Sequence, residues 1–413
     1  MISAKIDAGG IYMIKIRQQY LKQLVESKDT EFIKVLTGVR RSGKSFILNM
    51  FRDYLISSGV EQSRIIYINF EHPDTDDIKN YKTLNEYLKS KAEESGKYYF
   101  LFDEIQEVEN WQRVVNGLRV AYDSDIYITG SNATMLSGEL ATLLSGRYVE
   151  IKIMPLSFIE FCDFKNYHDD SRYGRYYQEY FEIGSFPSVA LLQNETLTES
   201  VLKGIFDSII LKDVCLRGGI KDTALLLRIV RFLLDQIGHP VSAGSIANTL
   251  SSGGRKTTNE TVDKYLDLLE GAFIFYKADR YDIRGKERLK TLGKYYVVDL
   301  GLRNVALGRN RGNVGAQLEN VVYLELIRRG FEVSVGKLDD KEIDFICRNP
   351  RETLYVQVAY ELPQNSKRET DNLLRIPDNY RKILITGNPM DSGVIEGIEI
   401  ISVIDFLRGS LIS

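Results

Sequence analysis

Gly38-Val39-Arg40-Arg41-Ser42-Gly43-Lys44-Ser45 carries the spacing G-x-x-x-x-G-K-S without a mismatch. Gly38 and Gly43 admit backbone angles that a Cβ forbids. The loop amides then turn inward on phosphate oxygens, at the positive end of the helix that follows. Lys44 is expected to reach the β- and γ-phosphates, and Ser45 to hold Mg²⁺ through its hydroxyl. The expected binding set is Gly38, Arg40, Arg41, Ser42, Gly43, Lys44, Ser45 and Phe46, and the expected ligands are ATP and Mg²⁺.

A second motif, Phe100-Leu101-Phe102-Asp103-Glu104, ends an apolar run in adjacent carboxylates. In an open parallel sheet, ligands bind beyond the carboxyl ends of the strands. Asp103 is therefore expected to share the Mg²⁺ with Ser45, and Glu104 to orient and deprotonate the attacking water. A third run ends in Gly130-Ser131-Asn132. Asn132 or Ser131 is expected either at the γ-phosphate and lytic water or as a helix cap. Glu71, at the end of a further run, either joins the magnesium network or closes a strand. Arg147, in Leu144-Ser145-Gly146-Arg147, either stabilises γ-phosphate charge, in its own site or a neighbour's, or pairs with a surface carboxylate.

These residues need a scaffold. Runs at 32–36, 65–71, 98–102, 125–130 and 148–153 read as buried strands, and the segment after Lys44 repeats its apolar residues at helical spacing. Alternation of strands and helices predicts an α/β layered sheet. The chain has 413 residues, 44% hydrophobic and 27% charged, as expected of two or more globular domains. No run approaches the ~20 apolar residues of a membrane span, so no membrane partner is expected. Cys162, Cys215 and Cys347, like His72, His168 and His239, are scattered, which argues against a disulfide framework or a zinc motif and for a reducing cytoplasm.

The net charge is −3, but residues 277–294 are locally basic. Three helical segments precede that stretch, and two strand-like runs, 273–277 and 295–298, flank it. This order predicts a winged helix-turn-helix. Thr258, Asn259, Thr261 and Lys264 would face a DNA groove, with Arg284, Lys286 and Arg288 on the wing. A protein adaptor with a solvated charged face is the alternative. The last segment reads as a helix at 317–329 and three strands, with Asp344 in the second. The predicted divisions are 1–160 for the nucleotide domain, 161–216 for a helical lid or connector, 217–298 for the winged helix, and 299–413 for a small α/β domain.

In combination these elements resemble a prokaryotic family of AAA+-class P-loop ATPases with a C-terminal domain of unknown function, the AAA plus DUF4143-type chain. The resemblance rests on residues 38–45, 100–104 and 129–132, on Ser145-Gly146-Arg147 with Pro155-Leu156-Ser157-Phe158, and on Gln317-Leu318-Glu319-Asn320, Glu342-Ile343-Asp344-Phe345 and Val356-Gln357-Val358-Ala359-Tyr360. It implies ATP hydrolysis and tips Arg147 toward the phosphate role, which in trans requires a homo-oligomer. It also implies a restriction-endonuclease-like C-terminal fold. Glu319 and Asp344 fit that fold's metal-binding positions. Gln357 and Ala359 replace its Glu-x-Lys, which implies that cleavage is lost. The resulting expectation is an ATP-driven switch or motor coupled to DNA. The alternatives are a nucleotide-gated switch acting on a protein partner, or an active nuclease using Lys337 or Lys341.

Overall fold

The computed structural model describes residues 3–7, 10–92, 95–136, 146–308, 312–362 and 368–409. Leu144 and Ser145 lie outside them. The chain divides into two compact units, Met1–Met154 with Gly271–Phe273, and Pro155–Glu270 with Ile274–Ser413.

In the first unit, β1 (Ser3–Asp7) and β2 (Gly10–Ile14) form an antiparallel hairpin. Helix α1 (Gln18–Glu26) leads to β3 (Ile33–Thr37) and α2 (Lys44–Ser57). Then follow β4 (Ile65–Asn69), α3 (Tyr81–Lys91), β5 (Lys97–Asp103), α4 (Trp111–Ala121), β6 (Asp123–Gly130) and β7 (Tyr148–Lys152). Strands β3 to β7 form one parallel sheet in the order β4-β5-β6-β3-β7. Each central strand divides its side chains between two apolar layers, as a period of two requires. Ile33, Val35, Phe100, Phe102, Ile126 and Ile128 pack with α3 and α4. Leu36, Tyr99, Leu101 and Tyr127 pack with α1 and α2. The exception is Lys34, whose ammonium is buried against Asp125 at 2.5 Å and ties β3 to β6. Removing one partner of such a pair costs about 3–5 kcal/mol.

The second unit begins with helices α5 (Phe158–Lys165), α6 (Tyr173–Ile183), α7 (Pro187–Ala190) and α8 (Glu195–Ser208), which runs into a π-helical segment, Ile209–Leu216. Next come α9 (Thr223–Asp235), β8 (Pro240–Val241), α10 (Ala243–Ser252), α11 (Asn259–Gly271), β9 (Phe275–Asp282) and β10 (Glu287–Val297). The remainder is α12 (Leu300–Leu307), α13 (Val314–Arg328), β11 (Glu332–Leu338), β12 (Lys341–Arg348), β13 (Thr353–Ala359), α14 (Arg368–Leu374), β14 (Arg381–Thr386), β15 (Gly393–Ile395), β16 (Ile398–Ser402) and α15 (Val403–Leu407).

Three helices and a hairpin do occur where they were expected. The hairpin is not a free wing, however. Strand β9 pairs with β10 on one side and, in parallel, with β11 on the other, Val335 opposite Arg280 and Lys337 opposite Asp282. One sheet therefore runs β15-β16-β14-β13-β12-β11-β9-β10-β8. The modules expected at 217–298 and 299–413 share it, and both belong to one compact unit with 161–216.

Candidate nucleotide site

The phosphate loop leaves the carboxyl end of β3 and enters α2 at Lys44. Gly38 has φ +143°, and a Cβ there would lie 2.1 Å from the carbonyl oxygen of Ile153. Gly43 has φ +102° and Arg41 φ +66°, so the loop turns through the left-handed region twice. The ammonium of Lys44 is curled under the loop, donating to the carbonyls of Gly38 (3.0 Å) and Val39 (3.3 Å). Arg17, fully buried, donates to the carbonyls of Ser42 (3.0 Å) and Met154 (2.9 Å) and braces the loop from below. Arg40 pairs with Glu71 at 2.7 Å. Glu71 thus holds the flank of the loop.

The sheet order explains how the carboxylates arrive. Strand β6 lies between β3 and β5. Its Thr129 bridges the two acids. The hydroxyl donates to Oδ1 of Asp103 (2.6 Å) and accepts from the amide of Glu104 (2.9 Å). Asn69, at the end of β4, donates to Oδ2 of Asp103 at 3.1 Å. Glu104 has φ +53°, a left-handed turn that carries its carboxylate off the strand axis toward Lys44, 3.5 Å away. The Gln106 amide donates to its other oxygen. Burial pushes the Asp103 carboxyl above its ordinary value. Hydrogen bonds from Thr129 and Ser45 oppose that shift, Glu104 adds to it, and Lys44 reduces it.

Two buried carboxylates against one ammonium leave the pocket short of positive charge. That balance fits a divalent cation such as Mg²⁺, and Ser45 and Asp103 stand together there, joined by a hydrogen bond. The loop also fits a phosphate, because its left-handed turns at Arg41 and Gly43 lead into the amino-terminal end of α2. Ser131 and Asn132 are buried beyond the end of β6, at the same edge of the sheet as the loop. Phe46 is exposed on the first turn of α2.

Arg147 is not brought to this site. It directly precedes β7, whose Tyr148 is opposite Ile33, the first residue of β3. The loop starts at the other end of β3, roughly 15–20 Å away along the strand. Arg147 is exposed beside Glu31, Asn116, Arg119 and Val120. It cannot act on the nucleotide of its own chain.

The proposed DNA-contacting residues are also placed differently. Thr258 caps α11, accepting from the amide of Thr261 at 3.3 Å. Lys264 shares the exposed face of α11 with Glu260, Asp263 and Asp267. Arg284 is paired with Asp339 at 2.8 Å, and Arg288 with Glu332. Lys286 is exposed in the turn between β9 and β10. Two cations of the basic run, Arg284 and Arg288, are thus paired with carboxylates of β11 and the turn after it.

Comparison with known proteins agrees with the first unit. Residues 30–162 match the family model of an AAA domain. An uncharacterized protein of Haemophilus influenzae is 54% identical over 393 residues, covering 95% of this chain and 98% of that one. The chain belongs to one family with that protein. An uncharacterized protein of Methanocaldococcus jannaschii is 34% identical over 349 residues, 81% of this chain and 76% of its own. The Walker-type ATPase of Pyrococcus abyssi superposes with a TM-score of 0.52 at 15% identity, over 71% of this chain and 96% of that chain, which is a likeness of fold. A domain of unknown function, DUF8612, matches residues 174–312. The expected DUF4143-type attribution is corrected to that family.

Sequence reasoning missed Thr129, Arg17 and Gln106. Thr129 opens the matched run 129–132 but carried no role there, and its role depends on β6 lying between β3 and β5. Arg17 stands in a polar segment far from the motif, so no spacing rule links the two.

Proposed function

We propose that this protein is an ATP-hydrolysing switch. The reading rests on one observation, the convergence of Lys44, Asp103, Thr129 and Glu104 at the carboxyl edge of the parallel sheet. Incoming phosphate oxygens compete for the Lys44 ammonium and draw it away from the loop carbonyls and from Glu104. The freed Glu104 carboxylate, still oriented by Gln106, orients a water and accepts its proton. Thr129 keeps the two carboxylates in register. Mg²⁺, held by Ser45 and Asp103, would neutralise charge on the phosphate oxygens. Asn132 is proposed as the contact to the lytic water. Arg147 is proposed as a cation for the nucleotide of a second copy, never for its own.

The output of the switch is better read as a protein partner than as DNA. The specific observation is charge. Helix α11 exposes Glu260, Asp263 and Asp267 against Lys264, and Arg284 and Arg288 of the hairpin are already paired. Phosphate backbones are recognised by surplus cations, and this face has a deficit. The order α13, antiparallel β11-β12-β13, α14 and parallel β14 supports a restriction-endonuclease-like reading of the C-terminal part. Gln357 and Ala359 stand against cleavage. Steady-state ATP turnover with and without duplex or single-stranded DNA at low salt is the test. Turnover indifferent to DNA is expected, whereas a severalfold stimulation abolished by Arg284→Glu with Lys286→Glu would restore the DNA reading.

A further inference from the structure

A second cluster of charged groups lies wholly inside the second unit. Lys294 projects from β10, Glu319 from α13, and Glu342 and Asp344 from β12. The Lys294 ammonium is 2.9 Å from Oε1 of Glu319, 2.8 Å from Oε1 of Glu342 and 3.9 Å from Oδ1 of Asp344. Its side chain is 3% exposed. An ordinary ion pair brings one carboxylate to one amine; here three converge.

The surroundings hold each carboxylate in place. The Tyr296 hydroxyl donates to Oε1 of Glu319 at 2.5 Å. Asn320, beside Glu319, clamps α13 to β10 by accepting from the amide of Val297 (2.8 Å) and donating to its carbonyl (2.9 Å). Oδ2 of Asp344 accepts from the amide of Val358 at 2.8 Å. Gln357 accepts from the amide of Asp344 (3.3 Å) and donates to Glu369 (3.0 Å). Burial alone would favour a neutral lysine, but Glu319, Asp344 and Glu342 outweigh it and hold the amine above its ordinary value. Burial and the Glu319 charge push the Asp344 carboxyl well up, with Lys294 opposing them.

We infer that Lys294 is the resident cation of a site otherwise suited to a hard divalent metal ion. Three converging carboxylates are the donor set such an ion requires. An ion about 2.1 Å from these oxygens would have to stand where the ammonium stands. Among the described residues no group of three or more His, Cys, Asp or Glu side chains is arranged to hold a metal. The two lysines considered from sequence are elsewhere, Lys337 facing Asp282 at 3.9 Å and Lys341 facing Asp340 at 3.5 Å. The second unit is thus cross-braced without metal, and its carboxylates are not available to activate water.

Removing the amine should convert the site. Mn²⁺ binding to the full chain is measured in the absence of nucleotide by electron paramagnetic resonance, with thermal unfolding in parallel. Wild type is expected to bind no Mn²⁺ at this cluster. Lys294→Ala gains one ion per chain and a Mn²⁺-dependent rise in Tm, and Lys294→Ala with Asp344→Asn loses both. Lys294→Met, which retains most of the packing of the stem, carries the same expectation if the alanine variant does not fold. Failure of the soluble variants to gain an ion overturns the inference. So does a stoichiometric Mn²⁺ in wild type that disappears in Asp344→Asn.

Discussion

The ammonium of Lys44 stands 3.5 Å from Oε1 of Glu104, so the cation suited to phosphate and the carboxylate suited to water are in direct electrostatic contact. Neither is exposed, and the pair cannot be dismissed as a surface ion pair of little consequence. Any anion that takes Lys44 changes the charge facing Glu104. On the proposed reading, this links nucleotide binding to activation of the base through one side chain.

Thr129 is the residue that makes the two acids act together. Thr129→Val keeps the shape but removes the donor to Asp103 and the acceptor for the Glu104 amide. Leaving such buried groups unpaired costs about 1–3 kcal/mol. We expect turnover to fall roughly 10–100-fold, matching that cost, while ATP affinity changes little. Parallel measurement of kcat and of ATP binding checks this. Unchanged kcat would remove Thr129 from the site.

Much of this site was legible because a phosphate loop is a local device. Gly38, Gly43, Lys44 and Ser45 are fixed by spacing within one turn, and Asp103 and Glu104 by the end of one strand. Thr129, Arg17 and the isolation of Arg147 depend on strand order, which no short window contains. The hairpin at 275–297 misled for the same reason. Its cations are plain in sequence, but Asp339 and Glu332, which neutralise two of them, become neighbours only when β9 pairs with β11. Lys294 was visible as one of several basic residues, and nothing local distinguishes it. Only β10 crossing beneath α13 sets it among three acids.

Glu270, near the end of α11, gives the second unit a pH-dependent stability. Burial pushes its carboxyl up to about 7 from an ordinary 4.5, with Asp267 and Asp279 adding to the shift and Lys277 opposing it. A carboxyl raised in the folded state contributes stability that is complete below its unfolded value and is lost as pH rises through about 7. The gap corresponds to at most about 3 kcal/mol. Glu270→Gln should therefore match wild type below about pH 4.5 and be the more stable near pH 8, by roughly 1–3 kcal/mol. Denaturant midpoints at the two pH values decide it. A variant less stable than wild type at the higher pH would refute the assignment.

The central claim is that Glu104 is the base and Lys44 the phosphate anchor of an ATP-hydrolysing site. A single-turnover experiment with Mg²⁺ and radiolabelled ATP, following bound nucleotide and released phosphate together, tests it most directly. Wild type should bind and hydrolyse. Glu104→Gln should bind ATP within a few-fold of wild type and release phosphate at least ~10²-fold more slowly, and Lys44→Ala should do neither. Phosphate release by Glu104→Gln at the wild-type rate would contradict the account.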